Sequence, residues 1–425
     1  MPPSPLTTIR GATALASGLP VAVATGSQFR LLHSLETRKP MSDEPSPGRL
    51  PSLTSLRFLG ALLVVWYHVT YVSGIFDGSL HTSLGTVFPF ASGAVTFFFV
   101  LSGFVLTWAH KPGTRAVAFW RGRACRIFPN HVLSWTATLV FFAVTTTEVP
   151  MVSAPAHDAA AALTNLFLVQ DWVPDADLYS GFNTPAWSLS CEVFFYALFP
   201  ALIVAARRIP TERLRRVWTA LAALIFLMPL VATAIPGPQL YDWMPVNERS
   251  MWFISAFPPV RLLEFLLGIA TARLIQTGTW PRVSRLTVIL AFVVYIGVLP
   301  ALPPQYVMST AMAPLIALAI ARTALADIEG RSRQLARPVL VSLGETTFAL
   351  YVVHFPLLLA VRHAIGPDPD LSAGAGFAIV FALIAVSVAL SLVVLRFVEL
   401  PLMRRWARSR RTPAPGRPAS VSTTP

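Results

Sequence analysis

From Ser55 onward the chain alternates long apolar runs with short polar connections. Ten such runs fall at about residues 55–74, 88–109, 132–149, 187–206, 216–235, 253–275, 286–300, 306–323, 340–362 and 374–398. Most are long enough for a helix to cross a hydrocarbon core of about 30 Å at about 1.5 Å per residue. The seventh is the weakest, because LTVILAFVVYIGVLP is short and ends in the proline-rich stretch from Pro300 to Pro304. The pattern predicts an all-α polytopic membrane protein, a bundle of about ten transmembrane helices.

The polar connections alternate in charge. One set holds Lys111, Arg115, Arg121, Arg123 and Arg126, then Arg207 to Arg216, Arg282 and Arg285, then Arg331, Arg333 and Arg337, and the tail from Arg404 to Arg417. The other holds Asp77, Asp158, Asp171, Asp175, Asp177, Asp242, Glu248, Asp368 and Asp370, with Arg249 and Arg362 as its basic exceptions. Basic connections stay on the cytoplasmic side, so an even number of spans with both termini cytoplasmic is expected.

Composition agrees with this reading. With 54% hydrophobic and 12% charged residues among 425, and a mean hydropathy of +0.62, the chain is too apolar for a soluble fold. The net charge of +13 sits in short connections and tails, which topology explains without a nucleic-acid partner. Cys125 and Cys191, the only cysteines, fall in opposite halves of the predicted bilayer and in no metal-ligand spacing, so neither a disulfide framework nor a metal is expected. Residues 1–50 lack a sustained apolar run and read as a disordered leader, with Met41 a second plausible start. Residues 51–403 form the membrane domain and 404–425 a basic, disordered tail.

Several ionisable residues lie inside the apolar runs. Arg57 and His68, eleven residues apart in LRFLGALLVVWYHV, project from one helix face about 16 Å apart along the axis. An ionisable side chain deep in a bilayer costs about 2.5 to 3.5 kcal/mol on insertion scales, tolerable where it faces protein or a wet cavity. The predicted orientation puts Arg57 at the inner edge, His68 in the outer half, Glu192 near the outer end of the fourth span and His354 at or beyond mid-membrane. His68, Glu192 and His354 thus share a depth on three helices, compatible with one polar site. In FWRGRACRIFPNH, Arg123 and Arg126 are i,i+3 neighbours just before a proline. Their guanidinium forks suit a phosphate group, and contact with anionic lipid or simple topology charge would use the same pattern. Ser102 and Gly103, small residues in FFFVLSGFVLTW, suit either close helix packing or a narrow acyl path. Trp187 opens the run WSLSCEVFFY around Glu192, which suits orienting an imidazole or binding an acceptor hydroxyl. Arg261 and Glu264 are i,i+3 and either neutralise each other or contact substrate. His354 precedes Phe355 and Pro356, where a broken helix would expose carbonyls. Glu399, before Pro401, reads as an interfacial acid at a helix terminus.

Taken in order, these motifs resemble the acyltransferase-3 family of integral-membrane O-acyltransferases over about residues 52–402. The resemblance rests on the Arg57/His68 pair, FFFVLSGFVLT, Arg123 and Arg126 before Ile-Phe-Pro, WSLSCEVFFY, RLLEFLLG and GETTFALYVVHFP. It implies transfer of an acyl group from cytoplasmic acyl-CoA to a hydroxyl, usually on a carbohydrate. By position, Arg123 and Arg126 would bind CoA phosphate, Arg57 would line the donor path, His68 would be the catalytic base and Glu192 would support it or the acceptor. Ser102, Trp187, Arg261 and His354 are the further substrate-contact candidates. The wording FFFVLSGFVLTWAHKPG and FWRGRACRIFPNH is similar to actinomycete enzymes that acylate macrolide antibiotics. The implied protein is a multi-pass cell-membrane enzyme, with acyl-CoA as co-substrate rather than a bound cofactor. A surface-glycan O-acetyltransferase is the alternative, and a transporter, against which the lack of an internal repeat counts, is the second.

Overall fold

The computed structural model describes residues 48–145, 158–239, 245–308, 310–366 and 371–406. The leader expected over residues 1–50 and the tail over 404–425 therefore lie outside the described residues, apart from 48–50 and 404–406. Ten principal helices order the chain. They are α1 (Pro51–Tyr67), α2 (Phe88–Ala109), α3 (Ala116–Val144), α4 (Trp187–Arg208), α5 (Thr211–Thr233), α6 (Pro258–Gln276), α7 (Arg285–Val298), α8 (Ala313–Ile328), α9 (Thr347–Ile365) and α10 (Ala373–Val394). No β-strand forms among the described residues. Nine helical stretches there are long and apolar enough to cross a membrane, and the tenth, Arg285–Ala301, is a shorter apolar helix. It coincides with the run that the sequence marked as weakest, and a short apolar helix has less length with which to span a full core.

At the centre α2 and α6 lie against each other, flanked by α1, α4, α5 and α8, while α9 joins α1, α3 and α10. Two glycines set that central contact. A Cβ on Gly103 would stand 2.0 Å from the Phe265 carbonyl oxygen, and one on Gly268 would stand 2.0 Å from that of Val100. Each helix thus lends the other a gap, the backbone-to-backbone approach that small residues permit in a membrane. Of the two small residues singled out in α2, Gly103 serves packing.

Two of the prolines inside spans, Pro356 and Pro200, are compensated by donors from another helix. Proline leaves the carbonyl four residues earlier without its helical donor. In α9, which runs through Pro356, the orphaned Val352 carbonyl accepts from Ser134 Oγ on α3 at 2.8 Å. In α4 the Tyr196 carbonyl, orphaned by Pro200, accepts from Trp120 Nε1 at 3.1 Å. The expected break at Pro356 therefore does not occur, because a neighbouring helix supplies the missing donor.

Other expectations are corrected. The segment carrying Arg121, Arg123 and Arg126 is not a loop but the first turns of α3, which starts at Ala116. Arginine is a good helix former and its long stem lets the charge reach an interface. The run at 253–275 is broken at Phe257, held extended by the prolines that follow, into Glu248–Ser255 and α6. The run at 340–362 divides at Thr346 into Pro338–Glu345 and α9. Glu399 is no terminal acid: it closes a π-helical turn, Leu395–Glu399. It is 2% exposed and accepts from Asn130 Nδ2 at 2.9 Å.

The segment leading into α4 folds into the bundle, with Gln170, Asp171 and Asn183 buried. Burial pushes the Asp171 carboxyl well above the usual carboxylate range, and Cys191 Sγ donates to its Oδ2 at 3.5 Å. From α4, which follows this segment, Glu192 lines a cavity together with Arg57, Arg123 and Arg126.

Candidate active site

Two groups of side chains gather the ionisable residues of the interior. The first surrounds a cavity of about 140 Å³, lined among others by Arg57, Ser102, Arg123, Arg126, Glu192 and Tyr196. These come from α1, α2, α3 and α4, and each contributor has a local reason to be there. Arg123 and Arg126 are successive positions on one face of α3. Ser102 is a small residue in the bulky run FFFVLSGFVLTW of α2. Glu192 and Tyr196 are i,i+4 on α4, and the Tyr196 hydroxyl donates to Glu192 Oε2 at 3.0 Å. Ser102 Oγ lies 3.0 Å from the same hydroxyl, and since that proton goes to Glu192, Ser102 donates.

The charge balance of this cavity is cationic. Three guanidiniums face one carboxylate, a formal +2, and no ion pair neutralises Arg57, Arg123 or Arg126 among the described residues. The Arg123 guanidinium packs over the Phe119 and Tyr196 rings at 5.8 and 5.9 Å, while its Nε is buried without a hydrogen-bond partner. A buried cationic donor without a partner is costly. Arg121, by contrast, is exposed and outside this lining.

The second group is a pair of imidazoles. His68 Nδ1 lies 2.9 Å from His354 Nε2, with the rings nearly parallel at 5° and 5.1 Å between centroids. His68 opens a π-helical turn, His68–Val72, that continues α1. Such single turns often mark functional positions. The other nitrogen of His354, Nδ1, sits 3.2 Å from the Leu350 carbonyl oxygen. A carbonyl only accepts, so that Nδ1 carries the proton and His354 Nε2 is an acceptor. His68 must then donate from Nδ1, which leaves its Nε2 with a free lone pair. His354 is fully buried, His68 is partly exposed, and no hydrogen bond to His68 Nε2 forms among the described residues.

The two groups are neighbours but not one chamber, contrary to the single continuous cavity expected to join a donor grip at Arg123 and Arg126 to a base at His68. Neither histidine lines the arginine cavity; Tyr351 does, and its ring stands 5.9 Å from that of His354. Of the three titratable residues expected to share a site, His68 and His354 meet, whereas Glu192 belongs with the arginines. Arg261 and Trp187 lie outside both. Arg261 is 1% exposed, pairs with Glu264 at 2.9 Å and packs over the Phe99 and Trp187 rings at 4.9 and 5.8 Å. Of the two readings of that pair, the internal ion pair is the one formed. Tyr196 and Tyr351 were not singled out from the sequence. An i+4 partner for a buried acid was the available signal for the first, and the second had none.

Fold and site together define an integral-membrane protein with a cationic cavity and, next to it, a hydrogen-bonded pair of imidazoles. The acyltransferase-3 domain family matches residues 50–396, and the chain belongs to it; it is a membrane-embedded O-acyltransferase. The chain is 34% identical to the acyltransferase MdmB of Streptomyces mycarofaciens over 372 residues, 86% of this chain and 95% of that protein. It is 23% identical to the O-acetyltransferase OatA of Staphylococcus aureus over 342 residues, 75% of this chain but 52% of that protein. No solved structure matches the chain.

Proposed function

We propose that the protein moves an acyl group from acyl-CoA to a hydroxyl of a macrolide-type natural product or of its sugar. Arg123 and Arg126, with Arg57 beyond them, hold phosphate of the donor, and the thioester extends inward past Tyr351. A cavity of about 140 Å³ is smaller than the roughly 300–1,000 Å³ of a whole-ligand site, so it takes only part of such a donor. His68 Nε2 accepts the proton of the acceptor hydroxyl as that oxygen attacks the thioester carbonyl. The new C–O bond forms, the C–S bond breaks, and the proton passes to the departing thiolate. General-base assistance of this kind is worth about 10²- to 10⁴-fold, with positioning of the two reactants supplying much of the rest.

The observation that supports the reading most is the free lone pair of His68 Nε2, fixed by the hydrogen bond from its other nitrogen to His354. The experiment follows release of free CoA thiol by membranes supplied with acyl-CoA and a hydroxylated acceptor. Release should require both the acceptor and His68, and Arg123→Gln should raise the KM for acyl-CoA about 10- to 100-fold, the worth of a charge-assisted hydrogen bond. Full activity of His68→Ala at matched protein level would remove the assignment. The surface-glycan alternative is favoured by one observation, the similarity to OatA, and it uses the same donor-side residues.

A further inference from the structure

Four arginines converge at the end of the bundle where α7 begins and α8 ends. A cleft of about 600 Å³ lies there, and its wall includes Arg285 on α7, Arg322 on α8, and Arg331 and Arg333 on the segment that follows α8. Helical spacing explains the convergence. Arg285, Val288 and Ile289 are i, i+3 and i+4 on α7, and Ala319, Arg322 and Ala326 are i, i+3 and i+7 on α8, so each helix turns one face to the cleft. The segment after α8 is held at the edge by Ser55 on α1, whose Oγ donates to the Leu335 carbonyl at 2.5 Å. No residue of this wall lines the arginine cavity of the candidate active site.

The acids that flank these arginines in the chain leave most of the charge in place. Glu329 pairs with Arg331, whereas Asp327 accepts from the Ser52 backbone N–H at 3.0 Å and from its hydroxyl at 2.6 Å. Arg285, Arg322 and Arg333 form no ion pair among the described residues, so four guanidiniums less the one that Glu329 neutralises leave a formal +3. Arg322 is the telling member. It is half-buried and lies inside the apolar stretch Thr310–Ile328, six residues before its end, about 9 Å of helix. Topology accounts for basic residues in a connection. It does not account for an unpaired guanidinium within a span, where charge is costly and pairs with an opposite charge.

The cleft also has an apolar side. Ile289 in its wall is followed at i+4 by Val293, and the two are 47% and 61% exposed, an apolar stripe that runs along α7 away from the arginines. A ligand with phosphate at one end and hydrocarbon at the other matches both features, while a soluble phosphate would leave the stripe uncovered.

We propose that this cleft seats one anionic phospholipid, with its phosphate against Arg285, Arg322 and Arg333 and an acyl chain along Ile289 and Val293. Basic pockets between spans at the cytoplasmic interface bind such headgroups, and the charge alternation predicts this end of the bundle to be the cytoplasmic one. The seated lipid bridges α7, the short apolar helix, to α8.

The test is native mass spectrometry of the purified full-length protein in detergent, titrated with dioleoylphosphatidylglycerol or dioleoylphosphatidylcholine, with melting midpoints measured on the same samples. One phosphatidylglycerol is expected to bind about 10- to 100-fold tighter than phosphatidylcholine and to raise the midpoint. Arg322→Gln should weaken its binding about fivefold, and Arg285→Gln/Arg322→Gln/Arg333→Gln about 100-fold, each with the lipid-free midpoint of the parent. Arg208→Gln/Arg213→Gln/Arg216→Gln, which removes the same charge from exposed positions around the α4–α5 connection, should bind as the parent does. Coenzyme A and inorganic phosphate at millimolar concentration should not displace the lipid. Equal affinity of the parent for the two lipids, an equal loss in the two triple variants, or displacement by coenzyme A or phosphate overturns the assignment. The first and last of these outcomes are read on the parent alone and stand whether or not a variant folds.

Discussion

At the scale of single residues, the decisive feature is which nitrogen of which histidine holds a proton. The Leu350 carbonyl fixes His354, and His354 fixes His68. His354 is a positioning residue in this account, and its effect should separate from mere support of the fold. A glutamine there offers a carbonyl oxygen to the His68 Nδ1 proton, whereas leucine offers nothing. His354→Gln is therefore expected to retain measurable kcat and His354→Leu to lose about 10²-fold in kcat, near the lower bound for a lost general base, with KM for acyl-CoA unchanged in both. Equal kcat in the two variants at equal melting midpoint would show that the imidazole pair does not set catalysis. The sequence exposed His68, His354 and the arginines readily, because ionisable side chains in apolar runs are rare. It did not expose their grouping, since whether Glu192 meets the arginines or the histidines depends on how α4 packs against α1 and α3, which no local pattern contains.

At the scale of elements, the helices were legible from their apolar runs and their interruptions were not. The bounds Phe88 and Ala109 of α2 fell where the hydropathy changed. Whether a proline breaks a span depends on donors from other helices, which no local pattern contains. Ser134 and Val352 make this testable as a coupled pair. Ser134→Ala should cost about 1–3 kcal/mol by leaving a buried carbonyl unpaired. Adding Pro356→Ala, which restores a backbone N–H, should recover part of that loss, read as non-additivity of detergent melting midpoints. The α2–α6 contact gives a second test. Gly103→Ala and Gly268→Ala should each destabilise by about 1–3 kcal/mol through overpacking against a carbonyl. Gly122, in α3 with open space around it, should accept alanine with a gain of about 0.5–1 kcal/mol. Equal effects at all three positions would contradict the packing described.

At the scale of the whole molecule, the alternation of basic and acidic connections predicts a direction. Cys125, beside Arg126 on α3, is partly exposed, and Cys191 is buried. A membrane-impermeant maleimide should therefore modify Cys125 in inside-out vesicles and leave right-side-out vesicles unlabelled; the reverse pattern would invert the topology. The fold class was readable because a bilayer leaves the chain few options. The separation of the histidine pair from the arginine cavity was not, because which side chains line a cavity depends on how neighbouring helices pack.

That separation has a practical consequence. Because neither imidazole belongs to the wall that carries Arg57, Arg123 and Arg126, the cationic pocket can be reshaped at Ser102 or Tyr196 while the hydrogen bond from His68 to His354 stays in place.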